Sequence, residues 1–186
     1  MFSCSKQEAS QNREEAALDV IATRVSVRQF TGEKLNSKQI DRILRAGMAA
    51  PTAVNKQPWA FVVVDDEQML AQLATTLKSS RIENGASHAI VVCGDMSKAL
   101  EGEGQGYWVE DTSAATENML LAAHAMGLGG LWVGVYPISE RVKNVSELIG
   151  APSHIVPMCV VTLGYPAEQP AIKDKYKTEN IHFNKF

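Results

Sequence analysis

Arg24-Val25-Ser26-Val27-Arg28-Gln29-Phe30 sorts its side chains by position. In an extended segment residues two apart point the same way, so Arg24, Ser26 and Arg28 share one side while Val25 and Val27 take the other. At ~3.3 Å per residue the two arginine backbones lie roughly 13 Å apart, too far to clamp one small anion and about right for an elongated one. A phosphate at one end and a flat, electron-rich ring at the other would suit it, because the fixed charge and planar donor fork of arginine match phosphate and carbonyl oxygens. Taken alone, the heptapeptide also reads as a solvated polar loop after a helix, so the rest of the chain has to decide.

The chain has 186 residues, 45% hydrophobic and 21% charged, which fits one globular domain with a single sizeable core. We expect a loose segment over residues 1–11 and a single domain over 12–186. A net charge of -3 argues against a nucleic-acid footprint, so any anion site must be local. Three scattered cysteines, Cys4, Cys93 and Cys159, make neither a disulfide framework nor a CxxC metal site. Cys93 and Cys159 sit inside apolar runs and read as small buried hydrophobes. Cys4, after Met1-Phe2-Ser3, resembles the end of a bacterial lipoprotein signal without its apolar stretch. A cytoplasmic protein is the expectation, with a lipid anchor through Cys4 as the alternative; no segment could span a membrane.

From Asn12, Ala16, Leu18, Ile21 and Ala22 fall at near-helical spacing and deliver the chain into Arg24. Asn36 with Gln39 marks the next helix start, with Ile40, Ile43, Leu44 and Gly47 as its buried stripe, and Pro51 ends it. Ala60–Val64 reads as a strand buried on both faces, followed by a helix through Met69, Leu70, Leu73 and Leu77. His88–Cys93 is a second strand, with His88 as a core or interface histidine rather than a ligand. Gly102, Gly104 and Gly106 mark a flexible connection into the longest helix, about Tyr107 to Met126. There Glu117 and Asn118 would need partners if that helix is buried. Gly127, Gly129 and Gly130 stop this helix before a strand at Leu131–Val135. A helix from Ser139, its candidate N-cap, to Ile149 and a strand at Val156–Leu163 complete the pattern. The alternation of Ile181–Phe186 suggests a final edge strand or an arm laid on a neighbour.

No GxGxxG follows the first strand, no GxSxG elbow, HExxH or paired-cysteine site is present, and the polar peculiarities lie in loops without an obvious acid, base or nucleophile. That pattern is expected where a bound cofactor carries the reaction. A hydrolase using Ser26 or a histidine is the weakest of the readings left open.

Three further stretches are unusual: Ala50-Pro51-Thr52-Ala53-Val54-Asn55-Lys56-Gln57-Pro58-Trp59, Gly127-Leu128-Gly129-Gly130-Leu131-Trp132-Val133-Gly134, and Lys173-Asp174-Lys175. Each alone could be a cap and turn, a helix stop or a solvated tail. With Arg24/Ser26/Arg28, Ala86-Ser87-His88, Ala114 to Asn118 and Leu163-Gly164-Tyr165-Pro166, their number and order resemble the nitroreductase-like flavoproteins from about Ala17 to Phe186.

That resemblance implies a three-layer α-β-α fold of the α+β class. Its central mixed sheet would have four strands plus a C-terminal edge strand, in an intertwined homodimer with two sites at the subunit interface. It implies FMN as cofactor, NADH or NADPH as reductant, and a nitroaromatic, quinone or similar small-molecule acceptor, exchanged by a ping-pong mechanism. By analogy Arg24 and Ser26, joined by Lys173 and Lys175, would hold the phosphate, and Arg28 would sit by the flavin N1 and C2 carbonyl. Pro51, Thr52, Ala53 and Asn55 would border the ring of the other subunit, and the backbone of Trp132, Val133 and Gly134 would lie on its N5 side. No titrating side chain would act as the central catalyst. Lys175 stands where relatives commonly carry arginine, and the short Gly102–Gly106 connection implies an open site that takes varied oxidants. A non-catalytic flavin-binding dimer, or a dehalogenase or flavin-modifying relative in the same fold, are the alternatives.

Overall fold

The structure, a computed structural model, describes residues 3–186, with side chains from residue 11 onward. The Cys4 reading therefore lies outside the described side chains.

Helix α1 (Ser3–Thr23) starts earlier than the apolar spacing predicts, and its Leu18 and Ile21 are 58% and 60% exposed. Its stripe is left uncovered by the rest of the chain. Helix α2 (Ser37–Met48) opens with the expected capping box: the Gln39 N–H donates to Asn36 Oδ1 at 3.0 Å and the Asn36 N–H to Gln39 Oε1 at 2.9 Å. Ile43 is fully buried, and a Cβ at Gly47 would overlap the Met119 side chain, which is why this face approaches its neighbour closely. Strand β1 (Trp59–Val64) is followed by α3 (Glu67–Thr76), capped by Asp66, whose Oδ1 accepts from the Met69 N–H. Then come β2 (His88–Asp95), α4 (Tyr107–Ala125), β3 (Gly129–Gly134), α5 (Ser139–Leu148) and β4 (Ile155–Gly164).

Two further boundaries differ in their cause from the sequence reading. Gly129 and Gly130 belong to β3 rather than to the helix stop, which Gly127 provides with φ +74°. Ser139 is the first residue of α5, and the cap position is Ile138, whose side chain makes no cap bond.

The sheet order is β1-β2-β4-β3 and every neighbouring pair is antiparallel, not mixed as expected. Strands β2 and β3 do run parallel to each other, as a strand-helix-strand unit through α4 would have them, but β4 enters between them and converts both contacts to antiparallel. The parallel pairing that exists among the described residues is an isolated bridge between Ser26 and Gly130.

Alternation along the central strands builds the three layers. Ile90 and Val92 of β2 and Cys159, Val161 and Leu163 of β4 pack with Ile43, Met119 and Leu120 under α2 and α4. Ala89, Val91, Cys93 and Val160 pack with Leu70, Leu73 and Val145 under α3 and α5. His88 is buried at the start of β2 and bonded to the neighbouring Ser87 side chain.

Residues 167–186 form no strand; a short 3-10 turn at Thr178–Asn180 is their one regular feature. The β3 edge is already met by Ser26 and Val27, so the tail finds no free edge there, and Tyr176, Phe183 and Phe186 stay exposed. Among the described residues no helix is long and apolar enough to cross a membrane.

Candidate functional site

The arginine stretch is extended because the sheet and the tail hold it so. Its Arg24 N–H still donates to Val20 O, closing α1, and the Val27 N–H donates to Gly130 O at 3.2 Å. Phe30 then donates to Asn84 O, and Thr31 to Tyr165 O. Val27 and Phe30 are buried at 5% and 6% exposure, and the glycines of the neighbouring strands are what admit them. A Cβ at Gly129 would sit 2.8 Å from the Val27 side chain, and one at Gly164 would sit 3.0 Å from the Phe30 ring. With Val27 anchored inward, Arg24, Ser26 and Arg28 line the outer side; Val25, expected on the inner side with Val27, joins them at the cavity instead.

There they border a cavity of about 780 Å³ whose other wall is the tail segment from Pro170 to Lys175. Lys173 and Lys175 line it from the tail, and Ile21 and Ala22 from α1. The tail is fastened just before this wall: the Ala167 N–H donates to Gln29 O, and the Arg28 N–H donates to Glu168 Oε1, both at 2.9 Å or less. Four cations thus face two carboxylates, Glu117 and Asp174, in a chain whose net charge is -3. Glu117 Oε1 lies 3.2 Å from Arg24 Nε. Asn118, next on α4, donates to Ala46 O of α2 at 3.0 Å. Glu117 and Asn118, both half-buried, therefore each have a partner.

Arg24, Ser26, Arg28, Lys173 and Lys175 are brought together in one cavity. Pro51, Thr52, Ala53 and Asn55 are not among its lining residues, nor are Trp132, Val133 and Gly134. The Pro51–Gln57 loop is an exposed projection in which Val54, Asn55 and Gln57 all have positive φ, an unusual state for a β-branched valine. It is tied down from below by Asp111, a buried residue of α4 whose Oδ1 accepts the Ala53 N–H at 2.8 Å. Asp111 and Glu117 are six residues apart on one helix, about 9 Å along its axis and about 120° around it. Loop and cavity therefore hang from different sides of α4.

In β3 the Trp132 side chain packs, half-buried, against the α2/α4 core and that of Val133 is buried in the α3/α5 core. Gly134 is exposed, and an added Cβ there would meet nothing within 4 Å. Its carbonyl accepts from Arg141 Nη1 at 2.9 Å.

Glu117, Glu168, Asp111 and Arg141 did not emerge from sequence reasoning as site residues. Only Glu117 carried a signal, as a carboxylate on a helix too apolar to leave it unpaired.

The family model described as the nitroreductase family matches residues 21–95 and 76–165. A protein of Methanothermobacter thermautotrophicus, provisionally named an NADH dehydrogenase/NAD(P)H nitroreductase, is 41% identical over 91% of this chain and 87% of its own length. A crystal structure of a similarly named protein from Bacteroides thetaiotaomicron superposes with a TM-score of 0.86 at 41% identity, covering 92% of this chain and 98% of that one. A nitroreductase structure from Desulfovibrio desulfuricans in complex with FMN superposes with a TM-score of 0.78 at 28% identity, covering 91% and 97%. The motifs that line the cavity and thread the sheet, the fold that carries them and these matches agree: the chain belongs to the nitroreductase family.

Proposed function

We propose that this protein is a homodimeric FMN oxidoreductase that draws hydride from NADH or NADPH and delivers electrons, in a ping-pong cycle, to a nitroaromatic, quinone or similar small acceptor. The observation that carries this reading is the convergence of Arg24, Ser26, Arg28, Lys173 and Lys175 on one cavity. A surplus of two cations in an acidic chain suits a phosphate dianion, and the space beside Gly134 suits the close approach of a flat ring to a backbone. The residues present therefore fit FMN.

When bound, FMN supplies the hydride acceptor and donor at N5, chemistry that no side chain here offers. Arg24 and Ser26, with Lys173 and Lys175, bind its phosphate. Arg28 adds a fixed positive charge near the N1 and C2 carbonyl edge, where extra electron density is thereby favoured. Gly134 leaves room on the N5 side. The Pro51, Thr52, Ala53 and Asn55 loop borders the site of the second copy. This assignment is supported by its projection away from its own cavity and by the exposed Leu18, Ile21, Met48, Val54, Tyr176 and Phe183, apolar surface that a second chain would cover.

The test is an absorption spectrum of purified protein before and after anaerobic addition of NADH or NADPH. A flavin band that bleaches with either reductant is expected. Protein that is colourless and cannot be reconstituted with FMN would contradict the proposal, and FMN that binds but resists both reductants would favour a non-catalytic flavin-binding dimer.

A further inference from the structure

We infer that Glu117 is a positioning residue for the anion subsite: by holding Arg24 through its Nε, it presents the guanidinium fork to the cofactor phosphate before the cofactor arrives. This rests on the FMN reading above and adds a role that the chain's own carboxylate performs within it.

Three observations carry the assignment. Of the four cations that line the cavity, Arg24 is the one paired with a carboxylate among the described residues, with Nε to Glu117 Oε1 at 3.2 Å. The contact is made at Nε, and the two terminal nitrogens make no hydrogen bond among the described residues, so the edge that suits a phosphate stays free. Both ends of the pair are fixed in the backbone. Arg24 sits between the last bond of α1 and the Ser26–Gly130 bridge, while α4 is locked in rotation against α2 by the Asn118 bond to Ala46 O.

The physical gain is conformational. An arginine side chain has about 2 kcal/mol of rotamer entropy to lose, and a guanidinium already oriented loses less of it on binding. A nearby carboxylate also repels a phosphate. Glu117 is about half exposed, with its side chain at 46%, so solvent screens that repulsion more than it weakens a direct bond to a largely covered arginine at 19%.

Repulsion and orientation are separated by comparing two variants that both lack the charge. Glu117→Gln keeps a side-chain oxygen of the same reach beside Arg24 Nε; Glu117→Ala does not. Flavin-free protein is titrated with FMN and with riboflavin, which has the ring but no phosphate, and binding is followed by flavin fluorescence. The expected result is an FMN dissociation constant about five-fold larger for Glu117→Ala than for Glu117→Gln, the scale of one lost polar contact, with riboflavin equal for the two. In an Arg24→Ala background the difference between the two variants should vanish. Equal FMN affinity of the two variants, an equal loss for riboflavin, or a difference that survives without Arg24 would overturn the inference. Wild-type protein that binds no FMN at all would instead refute the cofactor reading itself.

Discussion

The Val27 N–H donates to the Gly130 carbonyl across 3.2 Å, and this bond joins the arginine stretch to the edge of the sheet. The two residues are far apart in sequence, yet the contact sets which side of the stretch faces the cavity. It is possible because Gly129 and Gly130 carry no side chain where Val27, Phe30 and Leu120 come in.

Gly129→Ala should therefore destabilise the protein by about 1–3 kcal/mol, the usual cost of overpacking, since its new Cβ would lie 2.8 Å from Val27 and 3.1 Å from the Phe30 ring. Gly134→Ala, with nothing within 4 Å of the added methyl, should leave unfolding by urea unchanged while weakening FMN binding. Equal effects of the two substitutions on stability would contradict this division of roles among the glycines.

Arg24→Ala should weaken FMN binding by about 1.5–3 kcal/mol, as expected for the loss of a charged hydrogen bond. A fluorescence titration measures it directly, and an unchanged dissociation constant would remove Arg24 from the phosphate site.

Asp111→Ala should cost about 1–2 kcal/mol, because the Ala53 N–H loses its acceptor. Asp111→Asn keeps an acceptor oxygen and should stay near wild type. Tryptic cleavage after Lys56 should accelerate in the alanine variant alone; equal cleavage in both would show that the loop does not depend on this bond.

Burial pushes the Cys93 and Cys159 thiols up to about 12 from an ordinary value of 9.0. Their contribution to stability is complete below about pH 9 and is lost as the pH climbs toward 12, because the unfolded chain gives up those protons first. His88 is shifted the other way: burial holds it below its ordinary 6.5, with Asp65 opposing and Lys34 adding to the effect. Stability should therefore also fall below about pH 6.5, where the unfolded chain takes up the proton more readily. Urea midpoints across pH 5–11 should trace a plateau with both shoulders, and Cys93 and Cys159 should resist alkylation at pH 8 until the protein is unfolded.

Much of this architecture was legible in the residues, because their local requirements are strong. Asn36 and Gln39 announced a capping box, the valine runs announced strands, though β1 is a half-buried edge strand rather than one buried on both faces, and Arg24, Ser26 and Arg28 declared a common side. What escaped was set by long-range packing. Nothing in Val156–Leu163 shows that this strand enters between β2 and β3, which is why the sheet is antiparallel rather than mixed. Gly129 and Gly130 resembled a helix stop because their true reason, room for Val27 and Leu120, lies elsewhere in the chain. Glu168 and Asp111 bond to backbone N–H groups 140 and 58 residues away, and such acceptors leave no local signature. The tail's alternation was visible, but the tail forms no strand on its own chain, and the β3 edge is met by Ser26 and Val27.

A crystal structure of the protein grown with FMN tests the central claim most directly. The account predicts the phosphate within hydrogen-bond reach of Arg24 and Ser26, with Lys173 or Lys175 closing over it and the Pro51–Asn55 loop of a second copy against the ring. A phosphate bound elsewhere, with the Arg24 cavity left to solvent, would contradict it.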